Sequence, residues 1–248
     1  MCEYIDLCIK MVFSVRNIQA EFRYYCKEHT LDDIKIYYEK HIQHLDMDID
    51  AIFRWSCREG FLHIAQWLYS LGKVDIHKYH DMAFQGSCVG GQLHVAQWLY
   101  SLGGINIHTQ MEYAFRWSCI AGHLDVAKWL YSLGGINIHI KNENAFKLSC
   151  WNGHLNVARW LYSLEYMPDG QASIDIHAND DYAFMWSCVY GHLDVAQWLY
   201  SLGDINIHAD VVAWSCRNNH LHIAQWLTKI NIESMMRKLK NISMMHGA

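Results

Sequence analysis

Seventeen histidines and nine cysteines stand in a chain of 248 residues, and these are residue types that ligate metals, shuttle protons or act as nucleophiles. Their spacing decides between those uses. His77, His108, His139, His177 and His208 form one regular column, and His123, His154, His192 and His220 form a second. A zinc ion needs its ligands about 2 Å from one point, whereas members of either column are a whole repeating unit apart, so both columns are expected to be structural. Cys26, Cys57, Cys88, Cys119, Cys150, Cys188 and Cys216 form a third column. Equivalent positions in stacked helices lie roughly 8–10 Å apart, beyond the Cα separation of about 7 Å that a disulfide spans. All seven are therefore expected to be reduced, buried, small core residues, while Cys2 and Cys8 have no assigned role.

Other chemistry is missing from the sequence. There is no Gly-x-x-x-x-Gly-Lys, no Gly-x-Gly-x-x-Gly, no Cys-x-x-Cys and no nucleophile elbow, the patterns that cradle phosphate, hold metal or activate a serine. The pair Asp32 and Asp33 reads as a solvated helix start. No catalytic residue, metal ligand or cofactor is expected. The formal charge of −5 opposes the basic stripe that nucleic acid demands, and Arg237, Lys238 and Lys240 are too few to reverse it. No apolar run of about 18 residues suggests a membrane span. Glu3 and Asp6 stand where a secretory signal would be basic. A soluble intracellular protein is expected, with neither nucleic acid nor membrane as partner.

The columns exist because the chain repeats. "GHLDVAKWLYSLGGINIH" at 122–139 returns as "GHLDVAQWLYSLGDINIH" at 191–208, and the cysteines from Cys57 to Cys216 step by 31, 31, 31, 38 and 28. Trp67, Trp98, Trp129, Trp160, Trp198 and Trp226 take the same steps. A period of this size marks units that stack only on their neighbours. Within one unit, Ala114 with Ser118 and Phe115 with Cys119 are four apart, which predicts a short first helix. Gly122 stops it, a second helix runs from Leu124 to Leu133, and "INIH" makes an extended connection. In the last unit Asn219 takes the glycine's place, and the connection after His208 is three residues short, so its tip should be missing. "EYMPDGQAS" at 165–173 carries a seven-residue insertion, cheap in a surface loop.

The fold class expected is an all-α repeat solenoid, a single domain over 1–248. Residues 1–47 form a degenerate N-terminal cap, in which Phe22, Arg23, Leu31 and Tyr38 match Phe53, Arg54, Leu62 and Tyr69. Six units occupy 48–230. Ile232, Met235, Met236, Leu239 and Ile242 then fall at helical spacing, and 231–248 are expected to form a closing helix.

The helical pair, the Gly-His-Leu entry to the second helix and the glycine followed by "DIHA" or "INIH" resemble the ankyrin repeat from about residue 20 to 230. The high identity between units, the Trp-Leu-Tyr-Ser-Leu ending and the Ser-Cys pair resemble, more narrowly, the ankyrin-repeat families of giant DNA viruses. The resemblance implies a non-catalytic scaffold that binds a protein partner in the cytoplasm of a host cell, on the face made by first helices and loop tips. A self-associating structural component is the alternative. Recruitment of targets to a ubiquitin ligase is a further one, for which 231–248 are too short to hold a full docking domain. The chain departs from the family where Thr-Pro-Leu-His would open the first helix. Arg54, Gln85, Arg116, Lys147 and Met185 occupy the place of the family's loop-tying histidine, which puts that network in doubt.

Differences between units mark the expected partner surface, because the scaffold itself barely varies. Trp151 stands where other units hold Arg58, Val89, Ile120, Val189 or Arg217, and large aromatics dominate interface energies. Asn152 beside it, Arg116 and Lys147 on the same helix row, Tyr190 in the next unit, and Lys141 and Glu143 at a loop tip complete the candidate partner-binding set.

Overall fold

The computed structural model describes residues 20–42, 48–164, 174–203 and 205–246. Contacts divide the chain into two compact units, Met1–Thr109 and Gln110–Ala248. The N-terminal unit holds three antiparallel helix pairs. α1 covers residues 20–28 and α2 covers Leu31–Tyr37, ending in a π turn at Tyr38–Ile42. α3 (Ile49–Glu59) pairs with α4 (Leu62–Ser70), and α5 (Lys78–Val89) with α6 (Leu93–Ser101). In the C-terminal unit α7 (Thr109–Ile120) precedes α8 (Leu124–Ser132), α9 (Ile140–Trp151) precedes α10 (Leu155–Ser163), α11 (Ala178–Val189) precedes α12 (Leu193–Ser201), and α13 (Ala209–Arg217) precedes α14 (Leu221–His246). Among the described residues there is no strand. The fold class is the expected all-α repeat solenoid.

Local chemistry sets each helix length. In every first helix from α3 to α11 a buried serine donates its Oγ–H to the carbonyl of the phenylalanine three residues back, as Ser118 does to Phe115 at 2.8 Å. Five second helices stop after nine residues at a serine whose hydroxyl caps the tryptophan carbonyl three back, with Ser201 to Trp198 at 2.6 Å. Gly203, at φ 103°, then turns the chain out. α14 has Lys229 and Asn231 in place of that serine and glycine, so nothing stops it and it runs on to His246. The residues expected to form a closing helix therefore continue the last second helix without a break. Ile232, Met235, Met236 and Leu239 on this extension are exposed.

The core is a set of columns. Phe22, Phe53, Phe84, Phe115, Phe146 and Phe184 are each at most 1% exposed. In the N-terminal unit the ring of Phe53 lies 6.3 Å from Trp98, and Tyr69 meets the same indole edge-on at 5.9 Å. In the C-terminal unit the trio recurs as Phe115, Tyr131 and Trp160, as Phe146, Tyr162 and Trp198, and as Phe184, Tyr200 and Trp226, all at 5.8–6.3 Å. Trp98, Trp160, Trp198 and Trp226 thus each bolt their pair to the preceding one. Such tilted aromatic pairs are worth about 0.5–1.5 kcal/mol beyond the area they bury. The cysteine column is free and buried from Cys26 to Cys188, but Cys216 is exposed. The expectation of seven buried thiols fails there because, among the described residues, no further first helix covers α13.

Candidate interaction surface

The loop that opens four of the first helices, α5, α7, α9 and α11, is not a simple extended connection. Tyr79 to Asp81, Gln110 to Glu112, Lys141 to Glu143 and Asn179 to Asp181 all have φ between 52° and 60°, so each of these four units makes one left-handed turn from three consecutive non-glycine residues. That conformation costs roughly 1–2 kcal/mol per residue, and the surrounding side chains hold it. The third residue of each turn is acidic and buried: Asp81, Glu112, Glu143 and Asp181 are 5–6% exposed. The first histidine column supplies a partner, with Nδ1–H donating to the carboxylate four residues on: His77 to Asp81 at 2.7 Å, His139 to Glu143 at 2.8 Å and His177 to Asp181 at 2.6 Å. The other carboxylate oxygen can reach the next loop, where it accepts the backbone N–H of Asn106 (from Asp81, 3.4 Å) or Asn206 (from Asp181, 2.9 Å). The last first helix has no left-handed residue between His208 and Val212. The loop at 165–173 lies outside the described residues.

The position that lacks the family histidine is still in use. Gln85 donates to the carbonyl of His80 at 2.7 Å and to Thr109 Oγ1 at 3.2 Å. Arg116 donates from Nε to Met111 O at 2.6 Å, from Nη2 to Gln110 O at 3.2 Å and from Nη1 to Asn144 Oδ1 at 3.1 Å. Both side chains capture carbonyls of their own left-handed turn, so the loop network exists with different donors.

This geometry corrects the candidate surface. Arg116, Lys147 and Glu143 are 5–6% exposed; they brace or line the loop from inside and present no face to a partner. Burial holds the Arg116 guanidinium and the Lys147 amine below their ordinary pKa ranges. The Lys147 Nζ lies 5.5 Å above the Tyr182 ring. Lys141 and Asn152 are exposed, although Asn152 also donates to the carbonyl of Ile120 at 2.8 Å.

Trp151 is half-buried and heads an aromatic run along the first helices of the C-terminal unit. Its ring stacks on Trp186 at 5.0 Å and 15°, with Tyr190 at 5.2 Å and Tyr182 at 5.9 Å, and Trp186 lies parallel to Trp214 at 6.5 Å and 12°. Tyr190 is 46% exposed. Trp186, Trp214 and Tyr182 were not among the sequence candidates. The signal for the two tryptophans was their place two residues before Cys188 and Cys216, a position that Trp55 and Trp117 also hold.

The second histidine column closes helix ends. The His154 ring lies over Gly122, where a Cβ would sit 2.6 Å from Nδ1, and His192 covers Gly153 in the same way at 2.4 Å. At φ 83° and 79°, these positions require glycine for conformation and for space. Each ring hydrogen-bonds a carbonyl of the preceding first helix, His154 to Ile120 and His192 to Trp151. Burial lowers the pKa of both rings from the usual 6.5, and His123 and His192 push His154 down further. The unfolded chain therefore binds more protons between the lowered value and 6.5, so this contribution to stability is complete above about 6.5 and is lost as pH falls through the folded pKa. Melting followed by circular dichroism should show a lower Tm at pH 5 than at pH 7.5, and a smaller drop in His154→Gln. An equal drop in that variant would contradict the assignment.

Residues 112–209 match the family model described as ankyrin repeats (3 copies). The matched span lies within the C-terminal unit and takes in α8 to α12 with their left-handed turns. No curated protein matches the chain. Ankyrin repeats are general protein–protein interaction modules, which agrees with a surface of aromatic rings and exposed amides.

Proposed function

We propose that the chain is a non-catalytic scaffold that binds a protein partner across the first helices and loop tips of the C-terminal unit, with Trp151 at the centre. The observation that carries this reading is the half-exposed run of Trp151, Trp186 and Trp214 with Tyr182 and Tyr190. The phenylalanine column seals the core without them, and large aromatics of this kind anchor measured interfaces. Asn152 and Lys141 supply polar contacts at the rim. The near-identity of 122–139 and 191–208 supports kinship with the ankyrin families of giant DNA viruses and work in the cytoplasm of a host cell.

The test has two stages. Tagged wild-type protein is expressed in cells and its partners are identified by mass spectrometry; Trp151→Ala and Tyr190→Ala are then compared with it in melting and pull-down of the same partner. Retained melting with binding weakened at least tenfold is expected. A variant that folds normally and binds at wild-type strength would overturn the proposal, as would Trp151→Ala losing stability while keeping the partner.

A further inference from the structure

We infer that the open end face of the last helix pair is a docking notch for an aromatic side chain, an indole by preference, carried on an amphipathic helix of another protein. The argument is continuity with the interface repeated inside the C-terminal unit. At each internal step there, a second-helix tryptophan enters a cleft between a phenylalanine and a tyrosine of the preceding pair: Trp160 between Phe115 and Tyr131, Trp198 between Phe146 and Tyr162, Trp226 between Phe184 and Tyr200. The last pair repeats this cradle with smaller walls. Val212 stands four residues before Cys216, as Phe184 does before Cys188, and Thr228 stands two after Trp226, as Tyr200 does after Trp198.

No further pair fills that cradle among the described residues, and it forms a cavity of about 660 Å³ whose lining includes Val212, Cys216, Leu221, Ala224, Thr228 and Ile232. Cys216 is exposed where Cys188 is fully buried, and Leu221 is 54% exposed. Trimming Phe to Val and Tyr to Thr widens the cleft, so a bicyclic ring fits with room to spare. A helix is the fitting carrier because the internal indoles arrive on one. Lys229 and Glu233, one turn apart on the rim, offer both charges to polar residues flanking such an aromatic. The notch is separate from the Trp151 surface and does not depend on it.

The experiment reads Cys216 in the full chain carrying Cys2→Ser and Cys8→Ser. Alkylation by iodoacetamide is timed with and without a stapled helical peptide of residues 191–203, which contains Trp198, and with its Trp198→Ala version. The tryptophan peptide should slow alkylation of Cys216 at least fivefold at saturation, and the alanine peptide should leave the rate unchanged. Rebuilding the walls with Val212→Phe and Thr228→Tyr, checked for folding by circular dichroism, should lower the peptide concentration needed. Equal protection by both peptides, or none at millimolar peptide, overturns the inference. Concentration-dependent self-association in sedimentation that shields Cys216 without peptide also overturns it, because the occupant is then a second copy.

Discussion

Phe146→Ala should lower the stability of the folded chain by about 3–5 kcal/mol, the usual loss when a large buried aromatic is truncated. Phe146 is fully buried and touches the indole of Trp198 at a centroid distance of 6.2 Å. The cost has two parts. The apolar transfer energy is lost, and the cavity cannot collapse, because Ser149 and Cys150 on one side and Trp198 on the other are held by their own columns. In a stack where each pair contacts only its neighbours, such a defect also weakens the coupling between α9–α10 and α11–α12. Urea unfolding should therefore show a lower midpoint and a broader transition than wild type. Trp198→Ala and the double variant complete a cycle, in which an interaction of about 1 kcal/mol between the two rings is expected. A loss below 1 kcal/mol for Phe146→Ala would mean that the aromatic trio is not the bolt between pairs.

The parts of the fold that could be read from the sequence are those governed by period. Cys57 to Cys216 and Trp67 to Trp226 keep identical steps, so helix, turn and helix followed from where glycine and the apolar residues fall. The structure bears out the all-α repeat. The loops were misjudged for a physical reason. No propensity predicts three successive left-handed residues such as Gln110, Met111 and Glu112, because the conformation is held by side-chain hydrogen bonds, among them those of Arg116 to Met111 O and Gln110 O, rather than favoured by the residues that adopt it.

The acidic column was visible all the same. Asp50, Asp81, Glu112, Glu143 and Asp181 each stand seven residues before a column cysteine, but they lie within loop tips whose other residues vary, and the variation hid them. Arg116 and Lys147 were placed on the surface because they share the helix row of Trp151, whereas they are buried beside the left-handed turns. Of the candidate surface, Trp151 was legible because it departs from its column. Trp186 and Trp214 were not, because they conform to theirs.

Asp181→Ala tests the loop architecture most severely. The carboxylate of Asp181 is buried, accepts from His177 Nδ1 at 2.6 Å and accepts the backbone N–H of Asn206 at 2.9 Å. Removing it leaves both donors without their acceptor and should cost about 2–4 kcal/mol. Hydrogen exchange at the Asn206 amide should quicken, which separates loss of this tie from a diffuse effect. The backbone supplies a second and more specific expectation. Residue 181 sits at φ 56°, where a Cβ is unfavourable by about 1–2 kcal/mol, so Asp181→Gly should be more stable than Asp181→Ala by about 1 kcal/mol. That order reverses what a right-handed helix interior would give, where glycine is worse than alanine by about 1 kcal/mol. Asp181→Asn should fall between wild type and both, since asparagine tolerates the left-handed region and keeps one acceptor. Chemical denaturation of the three variants ranks them directly. If alanine proves more stable than glycine at this position, the left-handed turn is wrong, and with it the explanation of why these four units bury an acid beside the turn.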